Sequence, residues 1–185
     1  MATEALEQSI AATRAVLTGV QKTQLDDPTP CAAWKVSDLI NHIVGGQHFF
    51  TAMVHGEPPS GSETDFSATD FVSAFDAAAK DCVAAFNEPG VMEKTLTLPF
   101  GQMPGAAFVG IAATDTFTHG WDLAKATGQQ TDLAPELAGQ LLAGAKMFIS
   151  PGFRSPEGNP FGLEQDAPAG SGNADQLAAF LGRAV

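Results

Sequence analysis

Four long stretches of this chain set apolar side chains three and four residues apart, and each is closed off by proline, glycine or a cluster of both. That period predicts amphipathic helices, because a half-buried strand needs strict alternation, and alternation is confined to the neighbourhood of Leu96 and Leu98. The first helix is expected from Thr3 to about Gly19, with Leu6, Ile10, Val16 and Leu17 on one side. The two prolines of "DDPTPCAAW" force a loop, after which a second helix runs from Ser37 to His55 with a broad apolar face. A third spans Ala68 to Asn87, built around Phe71, Phe75, Ala78, Val83 and Phe86. "KTLTLPFGQMPG" predicts a short strand pair or extended crossover, and the fourth long helix follows from about Gly105 to Thr127, stopped by Gly128. Pro135 opens a further helix to about Ile149, residues 150–172 form a Pro/Gly-rich surface loop, and residues 173–183 form a short terminal helix. The expected class is all-α, a bundle whose sites are built from side chains that face one another in the core.

Composition narrows the function. A length of 185 residues, 44% of them hydrophobic, fits one domain over residues 1–185 with a real core. Nine basic against 21 acidic side chains give a net charge of -12, which repels a phosphate backbone; no nucleic-acid partner is expected. No apolar run has bilayer length, and "MATEALEQSI" lacks the features of a secretory leader, so no membrane partner and a cytoplasmic location are expected. Cys31 and Cys82 are far apart in sequence and read as reduced thiols, Cys31 as a small buried hydrophobe. Tyrosine is absent, and there is no GxSxG, GxxxxGK[ST] or HExxH motif.

What stands out chemically is "DTFTHGWDL". Asp115 and His119 are four residues apart, so they share a helix face, and Asp122 continues the polar stripe among Ile111, Phe117, Trp121 and Leu123. A buried carboxylate is costly unless it meets water, a partner or a metal. The second helix repeats the spacing with Asp38 and His42. Asp38 falls in a first helical turn, where unpaired amides favour a carboxylate, and reads as an N-terminal or supporting group. On spacing alone, His42, Asp115 and His119 are either a metal site or satisfied core polar groups. His48 reads as a helix-surface or rim residue, and His55 sits where a helix dipole favours an imidazole.

Taken in order, "TPCAAWKVSDLINHIVGG", "LPFGQMPG" and "DTFTHGWDLAKATGQ" resemble the DinB/YfiT-like metalloenzyme superfamily, in the branch of mycothiol-dependent maleylpyruvate isomerase-like proteins and mycothiol S-transferases. The resemblance extends to "NADQLAAFLGR". It implies an up-down-down-up four-helix bundle with a divalent metal held by His42 from the second helix and by Asp115 and His119 from a later one. Where the isomerases carry glutamate in that pair, this chain has aspartate. It also has no counterpart of the isomerases' additional C-terminal domain, so a thiol transferase is expected in place of an isomerase.

Three protein ligands leave an open coordination position, as in catalytic zinc sites; two imidazoles and a carboxylate suit Zn2+. The implied chemistry is attack of a metal-bound mycothiol thiolate on a small electrophilic substrate. Gln47, Asp122, Arg154 and Asn159 are candidates to hold the thiol cosubstrate, and Trp121 to line the electrophile pocket. Two alternatives stand beside this: a metal-dependent hydrolase using metal-bound water with Asp122 as base, and a non-catalytic metal-binding protein. A monomer or a homodimer fits the sequence equally well.

Overall fold

Each periodic stretch becomes a helix that stops where the sequence supplies a breaker. In the computed structural model, which describes residues 3–31, 33–58, 64–155 and 161–185, α1 is Glu4–Gly19, α2 Val36–His55, α3 Phe71–Phe86 and α4 Gly105–Ala126. Between α3 and α4, β1 (Thr95–Leu98) and β2 (Gly101–Pro104) pair antiparallel, Leu96 opposite Met103. Helices α5 (Pro135–Phe148) and α6 (Asn173–Phe180) follow. Helix α3 starts at Phe71, later than the periodicity suggests, because the Asp70 carboxylate accepts from the Ser73 amide at 3.1 Å and caps it. Residues 66–68 form a separate single turn before it.

Side-chain bonds give the helix directions. The Thr13 hydroxyl donates to the Thr116 carbonyl at 2.8 Å and the Gln129 amide to the Val16 carbonyl at 3.0 Å, so α1 and α4 run parallel. Arg14 pairs with Asp76 at 2.7 Å while Thr3 meets Asn87, so α1 and α3 are antiparallel. After α2 the chain returns along it: the Ser67 amide donates to the Asn41 side chain at 2.9 Å, and His55 meets Glu88 at 2.9 Å where α2 and α3 end. Helices α2 and α3 are therefore parallel, and the bundle is up-down-down-up.

Burial explains the assembly. Leu6, Leu39, Ile40, Phe75, Phe86, Phe108, Phe117, Trp121 and Leu123 are fully enclosed at helical spacing, and burying each such side chain contributes about 1.5–3 kcal/mol. Helices α1 and α4 approach closely at Gly120, where a Cβ would lie 2.3 Å from the Thr13 hydroxyl oxygen. Helix α6 is tied to α4 by the Trp121 indole N–H, which donates to Asp175 at 2.8 Å. Among the described residues no helix is long and apolar enough to cross a membrane.

Candidate metal centre

The antiparallel meeting of α2 and α4 brings His42 opposite the Asp115/His119 face. His42 Nε2 lies 4.0 Å from Asp115 Oδ1, and His119 Nε2 lies 3.6 Å from the same oxygen. One donor atom from each of the three residues lies within 4.8 Å of the others. Two nitrogen or oxygen donors sharing a zinc ion at about 2.1 Å each can be at most ~4.2 Å apart, so the two measured separations suit a common ion. The imidazoles are T-shaped, with ring centroids 4.5 Å apart.

One atom tests the fit directly. His42 Nε2 is buried and, among the described residues, has no hydrogen-bond partner. An orphaned polar atom of this kind costs about 1–3 kcal/mol, a cost that a coordinated ion removes. The electrostatics set the protonation of each donor. Burial pushes the His42 imidazole below its ordinary value, and His119 beside it adds to the effect, so His42 is neutral. Burial also opposes charge on His119 and Asp115, but their mutual attraction outweighs it: His119 is raised well above the ordinary histidine value and Asp115 is lowered.

The far nitrogen of His119 has its own partner. His119 Nδ1 lies 3.0 Å from Asp122 Oδ2, and Asp122 is fully buried. Burial pushes the Asp122 carboxyl up, yet His119 and Arg183 together bring it down to about 2. A carboxylate bonded to one ring nitrogen fixes the ring's orientation, here directing Nε2 toward His42 and Asp115. A second set of donors, Cys31, His119 and Asp122, also lies close together. Its Asp122 already accepts from Arg183 Nη2 at 3.0 Å, so the positive partner there is the protein's own guanidinium.

Two side chains from the loop before α2 complete the surroundings. Trp34 stands against both imidazoles, its ring centroid 4.6 Å from His42 and 5.8 Å from His119. Cys31 is half-buried and its thiol donates to Asp122 Oδ2 at 3.3 Å. It is therefore a polar neighbour of the site, where the sequence suggested an apolar filler. Cys82 is the enclosed thiol, its pKa pushed by burial up to about 12.

The other sequence candidates lie elsewhere. Gln47 is buried and its side-chain amide donates to the Thr116 hydroxyl at 2.9 Å, inside the bundle. Trp121 is fully buried and linked to α6, which makes it core. Arg154 donates to the carbonyls of Gly162 and Phe180 at 3.0 and 2.7 Å, and staples its loop to α6. Asn159 lies outside the described residues. Asp38 accepts from the Lys35 amide at 3.1 Å at the start of α2, a capping contact. His48 stacks on Phe66, ring centroids 5.7 Å apart.

Residues 6–124, which include most of α1, all of α2 and α3, and most of α4, match the family described as mycothiol maleylpyruvate isomerase N-terminal domain. Two proteins of Mycobacterium tuberculosis, the uncharacterized proteins MT0763 (strain CDC 1551 / Oshkosh) and Rv0738 (strain ATCC 25618 / H37Rv), are each 46% identical to this chain over 173 residues. Those alignments cover 92% of this chain and 91% of each relative. No solved structure matches.

Proposed function

Because the chain belongs to the mycothiol maleylpyruvate isomerase N-terminal domain family of DinB/YfiT-like proteins, we propose that it is a divalent-metal-dependent S-transferase that joins mycothiol to a small electrophile, with His42, Asp115 and His119 holding the ion. The observation that carries this reading is the convergence of those three donors around the orphaned His42 Nε2. A bound Zn2+ supplies a positive centre that lowers the pKa of a coordinating thiol below its free value of about 8.5.

The chain's own residues do the rest. His42 is neutral and Asp115 ionised, and His119 gives up its proton when it ligates, so the ligating set carries a single negative charge against a dication and favours an anionic ligand from solution. Asp122 keeps His119 Nδ1 engaged and leaves Nε2 for the ion. Gly46, one turn after His42, has no side chain over the second Asp115 oxygen, where even a Cβ would be 3.7 Å away. Asp115 is one-third exposed, so the centre is open to ligands. The hydrolytic alternative needs a free base beside the ion, and Asp122, its one candidate in the sequence, is buried and committed to His119 and Arg183.

The test combines elemental analysis of purified protein, calorimetric titration of mycothiol, and conjugation of a model electrophile with and without thiol and metal. The expected result is about one divalent ion per chain, lost in His42→Ala or His119→Ala, with turnover that needs both thiol and metal. Turnover of ester or amide substrates without added thiol supports hydrolysis, and full ion occupancy in either variant refutes the ligand set.

A further inference from the structure

Arg183 lies 61 residues beyond Asp122 in sequence, outside the span that matches the family. A capping motif brings it to the centre. After α6 the Gly182 amide donates to the Ala179 carbonyl and the Arg183 amide to the Ala178 carbonyl, each at 3.0 Å, the paired bonds that end a helix on a left-handed residue. Gly182 has φ +95 and packs on Gly162, with a Cβ placed there only 2.6 Å from Gly162 Cα, so a side chain at 182 is both strained and obstructed. The chain therefore turns back, and Arg183 Nη1 is held by the Leu181 carbonyl at 3.1 Å.

From that anchor the guanidinium forks over Asp122: Nε donates to Oδ1 at 3.2 Å and Nη2 to Oδ2 at 3.0 Å. Both side chains are largely enclosed, 16% and 0% exposed. A two-point contact fixes the plane of a carboxylate as well as neutralising it. Oδ2 of that plane carries the bond to His119 Nδ1.

We infer that Arg183 is a positioning residue for the metal centre: by fixing the Asp122 carboxylate it sets the His119 ring, and it makes ion retention depend on the seating of the arm formed by α6 and residues 181–183. This inference rests on the proposed ligation by His42, Asp115 and His119. Two features favour positioning over charge neutralisation. The fork uses both carboxylate oxygens, and Arg183 is fixed by backbone bonds before it reaches Asp122.

The test uses full-length protein with Arg183→Lys, which keeps the charge and loses the fork, and Arg183→Gln, which loses the charge and keeps a donor. Zinc affinity is read by competition with a chromophoric chelator, and ligand geometry by the visible absorption of the Co2+-loaded protein, with circular dichroism reporting the fold. Both variants are expected to fold, to bind zinc about 10–100-fold more weakly, and to show a shifted Co2+ spectrum. Millimolar guanidinium should partly restore the affinity of Arg183→Gln. Parental affinity and spectrum in Arg183→Lys overturn the positioning role and leave neutralisation. Parental behaviour in both variants removes Arg183 from the centre altogether. If a single variant does not fold, the pair Asp122→Asn/Arg183→Gln carries the same test without a stranded buried charge: its zinc affinity should fall as far as that of Asp122→Asn alone, and a further fall refutes action through Asp122. Absence of zinc or Co2+ binding by the parent refutes the ligand set itself, and the inference with it.

Discussion

Replacing His42 by phenylalanine should make the metal-free protein more stable and the metal-loaded protein less so. In the absence of an ion the parent keeps His42 Nε2 buried without a partner among the described residues, at a cost of about 1–3 kcal/mol. Because roughly a third of the side chain is exposed, the lower end, about 1 kcal/mol, is the expected gain. Phenylalanine fills a similar ring-shaped space beside Trp34 and His119, and His42 is held neutral, so no charge is lost. For a chain of this size 1 kcal/mol moves Tm by about 2–4 °C. With zinc at a thousand times its Kd the parent gains about 4 kcal/mol, worth roughly 10 °C, and His42→Phe gains none of it. Differential scanning calorimetry in chelator and in excess zinc should therefore show the two melting curves exchanging order. A variant that melts several degrees below the parent in chelator means that the imidazole has a structural partner. A variant that zinc stabilises as much as the parent removes His42 from the ligand set.

Three further outcomes follow from the same geometry. Asp122 has its pKa lowered from 3.8 to about 2, so its contribution of about 2 kcal/mol is present above pH 3.8 and is lost as pH falls toward the folded value; acid unfolding of metal-free parent should be steeper there than that of Asp122→Asn, and equal slopes refute the assignment. His119 is raised well above the ordinary histidine value, so zinc uptake at neutral pH should release about one proton per ion, measurable by calorimetry in buffers of different ionisation enthalpy, with affinity rising as pH rises. Gly120→Ala places a methyl group against Thr13 and should cost about 1–3 kcal/mol in chemical denaturation, and a neutral effect shows that α1 and α4 can separate without penalty.

The helical period made the bundle legible, and the four-residue spacing of Asp115 and His119 did the same for two of the three donors of the candidate centre, because both depend only on local geometry. The same geometry explains the misplaced candidates. Gln47 is five residues from His42, about 140° around the helix, which turns it toward Thr116. Trp121 is two residues from His119, about 160° away, and enters the core. Asp122, three residues on, stays close to the His119 face and bonds its ring. Cys31, Trp34 and Arg183 depend on how a loop and a distant arm pack, which no periodicity encodes. The one signal for Arg183 is the Gly182 that precedes it after an apolar helix, and that glycine predicts a turn without saying what the turn delivers.

The placement of Trp34 gives the protein a built-in optical gauge. The chain has two indoles, one enclosed beside α6 and the other resting on both candidate ligand rings. Excited-state quenching by an imidazole changes with what the ring nitrogens carry, so loading of the proposed centre is expected to change the emission of Trp34 and to leave that of Trp121 as a constant background. Replacing Trp121 by phenylalanine isolates the signal, and the filling and emptying of the centre can then be followed in real time without an added dye or a chosen substrate.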